Sequence, residues 1–187
     1  NKKNKNDTIR HAIQSKRSAT THRPAPPMSD ILPPLVLGSS SRYRRELLER
    51  LRLPFTTASP DIDESCLGDE TPRAQAIRLA RLKAQAIALR HPDSCIVGSD
   101  QVAWSGARRY GKPGTRDAAI AQLLELSGAK VTFDTALCVI DPRNGTLHEA
   151  VVPTDVVFRT LSKTEIERYV ELDDPIDCAG AAKIESL

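Results

Sequence analysis

Three arginines, Arg42, Arg44 and Arg45, crowd the start of a segment that reads as a helix, directly after Gly38 and the serines Ser39, Ser40 and Ser41. Positive charge at a helix N-terminus opposes the macrodipole, at a cost of about 0.3–1 kcal/mol per charge. Free backbone N–H groups and hydroxyls converge at a strand–turn–helix junction, so a bound anion would reverse the local electrostatics. The same residues also suit a solvated basic face paired with Glu46 and Glu49, and their spacing leaves both readings open.

Two groups of carboxylates come next. Asp61, Asp63 and Glu64 stand together in "PDIDE", an oxygen-rich set that suits a hard divalent cation such as Mg²⁺ or, equally, an acidic surface loop. Asp100 interrupts the apolar run "IVGSDQV" where a buried strand is expected to end, the place at which open α/β sheets hold ligands. An unpaired buried carboxylate is costly, so Asp100 is expected to meet a metal, a lysine or a water to be activated, unless it is simply a turn former. Lys112 in "GKP" and Lys83 in the preceding helical segment supply point charges suited to phosphates, although either lysine taken alone reads as solvated.

Several cations, several carboxylates and one activating aspartate fit metal-assisted phosphoryl chemistry on a polyphosphate. Neither G-x-x-x-x-G-K-[ST] nor G-x-G-x-x-G occurs, which disfavours a P-loop NTPase or a dinucleotide enzyme. His11, His22, His91 and His148 are dispersed, so neither a zinc site nor a Cys–His nucleophile is indicated.

The elements that must position these groups follow from pattern. Leu35–Gly38 reads as a buried strand, and Ser41 caps a helix through about Leu51 with Leu47, Leu48 and Leu51 inward. Residues 54–59 form a second strand. Thr71 and Pro72 open a long helix to about Arg90, with Ile77, Ala80, Ala84 and Ile87 inward. Cys95–Gly98 is a strand that resumes after Asp100, "SGARRYGKPG" a turn-rich connection, and residues 115–126 a helix. Two long strands flank "DPRNG" as a hairpin, Ser162 and Glu165 form a capping box, and the end of the chain is expected to be extended. The sum is α/β with a mixed sheet.

Of 187 residues, the first 27 carry a net +6 and the remainder −3, so the overall +3 does not describe the folded part. Residues 1–30 are expected to be a disordered basic leader and 31–187 the folded domain. Met28 is the one methionine, and "MSDILPPLVLGSS" reads as a natural start, which would place residues 1–27 upstream of it. No apolar stretch approaches the roughly 18 residues of a spanning helix. Four scattered cysteines, Cys66, Cys95, Cys138 and Cys178, fit a reducing compartment, and a cytoplasmic location is the expectation.

Taken in order, "GSSSRYRRELLERL", "PDIDE", "RLARLKAQA", "IVGSDQV", "GKP", "LSGAKVTFDTAL", "LSKTEIERYV" and "DCAGAAKIES" resemble the Maf (septum-formation inhibitor) family of nucleoside triphosphate pyrophosphatases. The resemblance implies a sheet flanked by helices in two lobes with a cleft, similar to inosine triphosphate pyrophosphatases. It also implies cleavage between the α- and β-phosphates with a divalent metal, Mg²⁺ or Mn²⁺. By it, Ser39, Arg44, Arg45, Lys83 and Lys112 contact phosphates, and Glu64 and Asp100 are the metal ligands. Asp100 would also be the proton acceptor. Tyr43, Gln101 and Glu185 fall at positions that sort substrates, and they resemble the branch acting on 7-methyl-GTP. A methylated, cationic guanine favours an aromatic face and a carboxylate, which Tyr43 and Glu185 could supply. Two departures stand out: Arg42 replaces the motif's usual proline, and the chain is expected to be shortened at Leu187.

The alternatives are a dTTP or UTP pyrophosphatase of the same family and a weakly catalytic nucleotide-binding regulator of cell division. Nucleic-acid binding through the leader ranks last because the folded part is net acidic. The expected partner is a nucleotide rather than a membrane, and a homodimer is compatible with the pattern.

Overall fold

The computed structural model describes residues 32–183. The chain divides into Asn1–Leu32 and Pro33–Leu187, and the second unit holds every element below. The basic leader, the start at Met28 and the substrate-sorting Glu185 lie outside the described residues.

Apolar residues bounded by prolines and serines make β1 (Leu35–Gly38), followed by α1 (Arg42–Glu49) and β2 (Phe55–Ala58). Thr71 caps α2 (Pro72–Ala88) by accepting the Ala74 N–H, and proline occupies the first turn, where its missing N–H costs nothing. Next come β3 (Cys95–Ser105), β4 (Arg108–Tyr110) and α3 (Arg116–Leu126). The hairpin of β5 (Lys130–Ile140) and β6 (Leu147–Val157) leads into α4 (Lys163–Asp173), whose capping box between Ser162 and Glu165 is formed as expected.

The strands build one mixed sheet in the order β2-β1-β3-β5-β6, with β4 also on β3. β1 pairs in parallel with β2 and with the first part of β3, from Leu35 opposite Cys95 to Gly38 opposite Gly98. β5 runs antiparallel along the other side of β3, from Ile96 to Trp104. β4 joins β3 only at Ala103, Trp104 and Ser105. β1 and β4 therefore share one edge of β3 and leave Ser99 to Val102 unpaired on that edge. The sheet opens there.

A core packs on each side of the opening. Ala76, Ala80, Ala84 and Ile87 of α2 lie on Val36, Ile96 and Val102 in the first lobe. In the second, Ala103, Leu126 and Phe133 form one cluster, and Ala119, Leu123, Ile166 and Val170 join α3 to α4. The cleft runs between these lobes.

The structure departs from the sequence pattern at four places. β3 runs unbroken through Asp100, because β5 keeps hydrogen bonding across it; what ends beside Asp100 is β1. "SGARRYGKPG" is not all turn, since Arg108–Tyr110 pairs with β3. The closing segment is not extended; it folds into 3₁₀ turns at Pro175–Asp177 and Ala179–Ala181, with Gly180 at φ +65°. Lastly, no residue of α1 is buried: Leu47 and Leu51 are 52 % and 60 % exposed, and these leucines face the cleft instead of a core.

The close approach of α2 to the sheet depends on Gly98. A Cβ there would collide with the Ala80 carbonyl oxygen and stand 2.7 Å from the Ala84 nitrogen, both backbone atoms that cannot swing aside. Gly98→Ala is expected to cost about 1–3 kcal/mol by overpacking, read from urea unfolding. Wild-type stability in that variant would show that the helix can move outward freely.

Candidate active site

β1 ends at the cleft, and Ser39 follows it with its side chain buried. The Ser39 Oγ accepts the Ser41 N–H at 3.1 Å and a guanidinium N–H of Arg44 at 3.3 Å. The Ser41 hydroxyl in turn accepts the Arg44 backbone N–H, which caps α1. Arg44 is thus folded back toward β1, against the usual outward reach of an arginine. Burial pulls its guanidinium below the ordinary arginine value, while the charges of Asp100 and Glu64 work in the opposite direction.

Across from it, the Gly98 contact brings α2 close enough for Lys83 to reach β3. The Lys83 ammonium lies 2.6 Å from Asp100 Oδ1 and 2.9 Å from Glu64 Oε1. Lys83 and Asp100 are both buried, whereas Glu64 arrives from the loop after β2 and is half open to solvent. Burial pushes the Asp100 carboxyl up from its ordinary value; Lys83 and Arg44 oppose that rise, and Glu64 adds to it. Such a carboxylate is more basic than a surface aspartate and sits beside donors able to hold a phosphate.

These groups line one cavity of about 700 Å³, a size that accommodates a small ligand. Because the edge of β3 is open from Ser99 to Val102, the cavity reaches residues on both faces of the sheet. Ser99 and Gln101 point to one face, and Asp100 and Val102 to the other. Lys112 reaches the wall from the loop after β4, which is pinned where the Gly180 N–H donates to the Gly111 carbonyl and the Gly114 N–H to that of Ile176. Gln101 also lines the cavity and donates to Thr135 Oγ1 at 2.8 Å. Tyr43 lines it from α1, and burial pushes its phenol up to about 12.

Of the residues expected from sequence, Ser39, Tyr43, Arg44, Glu64, Lys83, Asp100, Gln101 and Lys112 come together here. Arg45 does not: it points away on α1 and pairs with Glu49 at 3.2 Å. The structure adds Thr135 and Leu137 of β5 and Asp177 and Cys178 of the 3₁₀ segment to the wall. Nothing local marks these as site residues, since the Tyr43–Asp177 contact spans 134 positions.

With this arrangement in view, a family model described as "Maf-like protein" matches residues 34–187. The chain belongs to the Maf-like family. A 7-methyl-GTP pyrophosphatase of Cupriavidus metallidurans is 52 % identical over 159 residues, spanning 85 % of this chain and 80 % of that protein. One from Aromatoleum aromaticum is 54 % identical over 153 residues, spanning 82 % of this chain and 79 % of its own length. Among solved structures, a HAM1 protein from Coxiella burnetii is 17 % identical with a TM-score of 0.46, covering 68 % of this chain and 73 % of that one. That likeness is too loose to bear on the Maf-like site. No helix among the described residues is long and apolar enough to cross a membrane.

Removing one partner of a buried ion pair strands the other, at about 3–5 kcal/mol. Lys83→Met should therefore destabilise the Maf-like domain by that order near pH 8. Without the ammonium, the folded-state value of Asp100 rises further above its ordinary 3.8. Between those two values the folded state holds a proton that the unfolded state lacks, so the deficit should shrink as pH falls. Urea midpoints of wild type and Lys83→Met compared from pH 8 to pH 5 measure this; a constant deficit would show that lost packing, not charge, sets the cost.

Proposed function

We propose that the protein hydrolyses 7-methyl-GTP to 7-methyl-GMP and pyrophosphate. The observation that carries this reading is the buried Lys83–Asp100 pair facing Arg44 and Ser39 across one cavity, a proton acceptor beside phosphate donors. The names of the relatives at about half identity supply the substrate. Tyr43 and Gln101 in the same wall agree with a purine cation better than with dTTP or UTP.

In this reading Ser39, Arg44 and Lys112 hold the triphosphate and align its α-phosphorus with a water near Asp100. Asp100 takes a proton from that water as its oxygen bonds to the α-phosphorus. The bond from that phosphorus to the α–β bridging oxygen breaks, and pyrophosphate leaves with the electron pair. Asp100 suits this work because burial raises its proton affinity while Lys83 favours its ionised form. Lys83 also neutralises the two carboxylates, which would otherwise repel the phosphates.

The donor set fits a divalent cation. Glu64 and Asp100 both contact the Lys83 ammonium, at 2.9 and 2.6 Å, so the two carboxylates are close enough to share a cation with substrate phosphates. Among the described residues there is no group of three or more His, Cys, Asp or Glu side chains that could form a complete protein cage. Mg²⁺ commonly uses one or two carboxylates together with substrate phosphates and water, so Glu64 and Asp100 are sufficient protein ligands for Mg²⁺ or Mn²⁺. When bound there, the ion would neutralise charge on the phosphates during cleavage.

Pyrophosphate release measured on 7-methyl-GTP, GTP, dTTP and UTP with Mg²⁺ or Mn²⁺ tests the reading. The expected order places 7-methyl-GTP first, and Asp100→Asn should lower its turnover by about 10²–10⁴-fold. A preference for dTTP or UTP, or an undiminished Asp100→Asn enzyme, would overturn it.

A further inference from the structure

Three acidic side chains line the cavity among the described residues: Glu64, Asp100 and Asp177. The first two are both held by Lys83. Asp177 makes no ion pair among the described residues and lines the cavity beside Tyr43. Its Oδ1 accepts from the Tyr43 hydroxyl at 3.4 Å and lies 3.5 Å from Cys178 Sγ. Neither contact is short, and a carboxylate can accept about four hydrogen bonds.

The Tyr43 ring already carries a planar, delocalised cation, supplied by a residue that does not line the cavity. The Arg42 guanidinium lies over the Tyr43 ring, 4.7 Å from its centroid, and donates to the Tyr43 hydroxyl at 2.7 Å. Tyr43 chiefly raises the value of that guanidinium through its hydrogen bond, and Asp177 and Glu46 add to the rise. Guanine carries a guanidine unit of its own, the N1–C2–N2 edge with its N–H donors. Methylation at N7 gives the ring a positive charge and makes N1–H a stronger donor. An aromatic face with an adjacent carboxylate satisfies both properties, the charge and the donor edge.

We infer that Asp177 is a specificity-determining residue: its carboxylate receives the N–H edge of the 7-methylguanine base while Tyr43 lies against the ring. The inference rests on the proposed 7-methyl-GTP reading and names the group that would enforce it. The 3₁₀ turn that carries Asp177 precedes the Ala179–Ala181 turn, which is tied to the Lys112 loop through Gly180 and Gly111. Base and phosphate contacts would then be set by one short, cross-linked segment. Asp177 acts here on the base and takes no part in the proton transfer at Asp100.

The test compares wild type with Asp177→Asn and Asp177→Ser. Calorimetry gives the affinities for 7-methyl-GMP and GMP, and steady-state kinetics gives kcat/KM for the corresponding triphosphates. The substitutions are expected to lower 7-methyl-GMP affinity at least tenfold more than GMP affinity, and to move the kinetic ratio in parallel, chiefly through KM. An equal loss for both bases, or an unchanged ratio in whichever variant retains its thermal unfolding transition, would overturn the inference. The nucleoside monophosphate measurement separates the two proposals. If wild type binds 7-methyl-GMP preferentially and loses that preference on substitution yet releases no pyrophosphate, the recognition stands and the hydrolytic reading falls. If wild type hydrolyses 7-methyl-GTP and the substitutions leave both ratios intact, the reverse holds.

Discussion

An ammonium and a carboxylate, 2.6 Å apart and both shielded from water, form the contact on which the cleft depends. Desolvating each ion costs several kcal/mol, and their attraction recovers that only in good geometry. A well-packed apolar pair would serve stability as well or better. The fold nevertheless brings Lys83 and Asp100 together by bringing α2 very close to β3 at Gly98, with Ala80 and Ala84 as the facing residues. Small residues on both sides of this contact make the helix–sheet distance short. A short distance lets a lysine from the helix reach a carboxylate on the sheet. The packing and the chemistry are therefore one constraint.

That constraint acts at the place where the sheet is incomplete. β1 stops at Gly38, opposite Gly98, and β4 begins pairing at Ala103, so one edge of β3 has no neighbour between them. An unpaired edge normally invites another strand. Here it opens into the cavity, flanked by the turn that carries Ser39 and by the loop that carries Lys112. The charges tolerated on α1 follow the same logic. Arg44 is folded toward Ser39 and the carboxylates, and Arg45 is balanced by Glu49. Only one of the two neighbouring arginines is thus committed to the cleft, and a helix with no buried residue is held in part by Arg44.

Much of this was legible in the sequence because it is local. Capping residues and their hydrogen bonds, the apolar face of α2 and the alternation in the β5–β6 hairpin depend on neighbours a few positions apart, and these agree with the structure. The charged residues of the cleft stood out as candidates by type and spacing, but a solvated basic face paired with Glu46 and Glu49 fitted the arginines equally, and the phosphate roles came from the family resemblance. What escaped depends on long-range pairing. The continuity of β3 through Asp100 is imposed by β5, where its partner Ala136 lies 36 positions on in the chain, and the β4 pairing by tertiary register. The leucines of α1 have the spacing of a buried stripe, but periodicity alone cannot tell a core from the wall of a cleft. Arg45 was indistinguishable from Arg44 by type and position; only the direction of its side chain separates them.

The cavity wall carries two kinds of group, and under the proposed reading one would take the phosphates of a nucleotide and the other its base. Ser39, Arg44, Lys83 and Lys112 supply donors and positive charge suited to negative oxygens. Tyr43 offers a ring face, and Asp177 stands beside it with a carboxylate. With its phenol pushed up to about 12 by burial, Tyr43 stays protonated across the physiological range and can keep donating to Asp177. A neutral phenol adds no negative charge to the cavity and keeps an intact quadrupole for a cation. Arg42 completes the arrangement from outside, on the ring and on the hydroxyl, which accounts for a basic residue at the start of a helix where the dipole disfavours it. Under the proposed reading, a neutral base would use the ring face alone, whereas a cationic base would use the ring face and the carboxylate together.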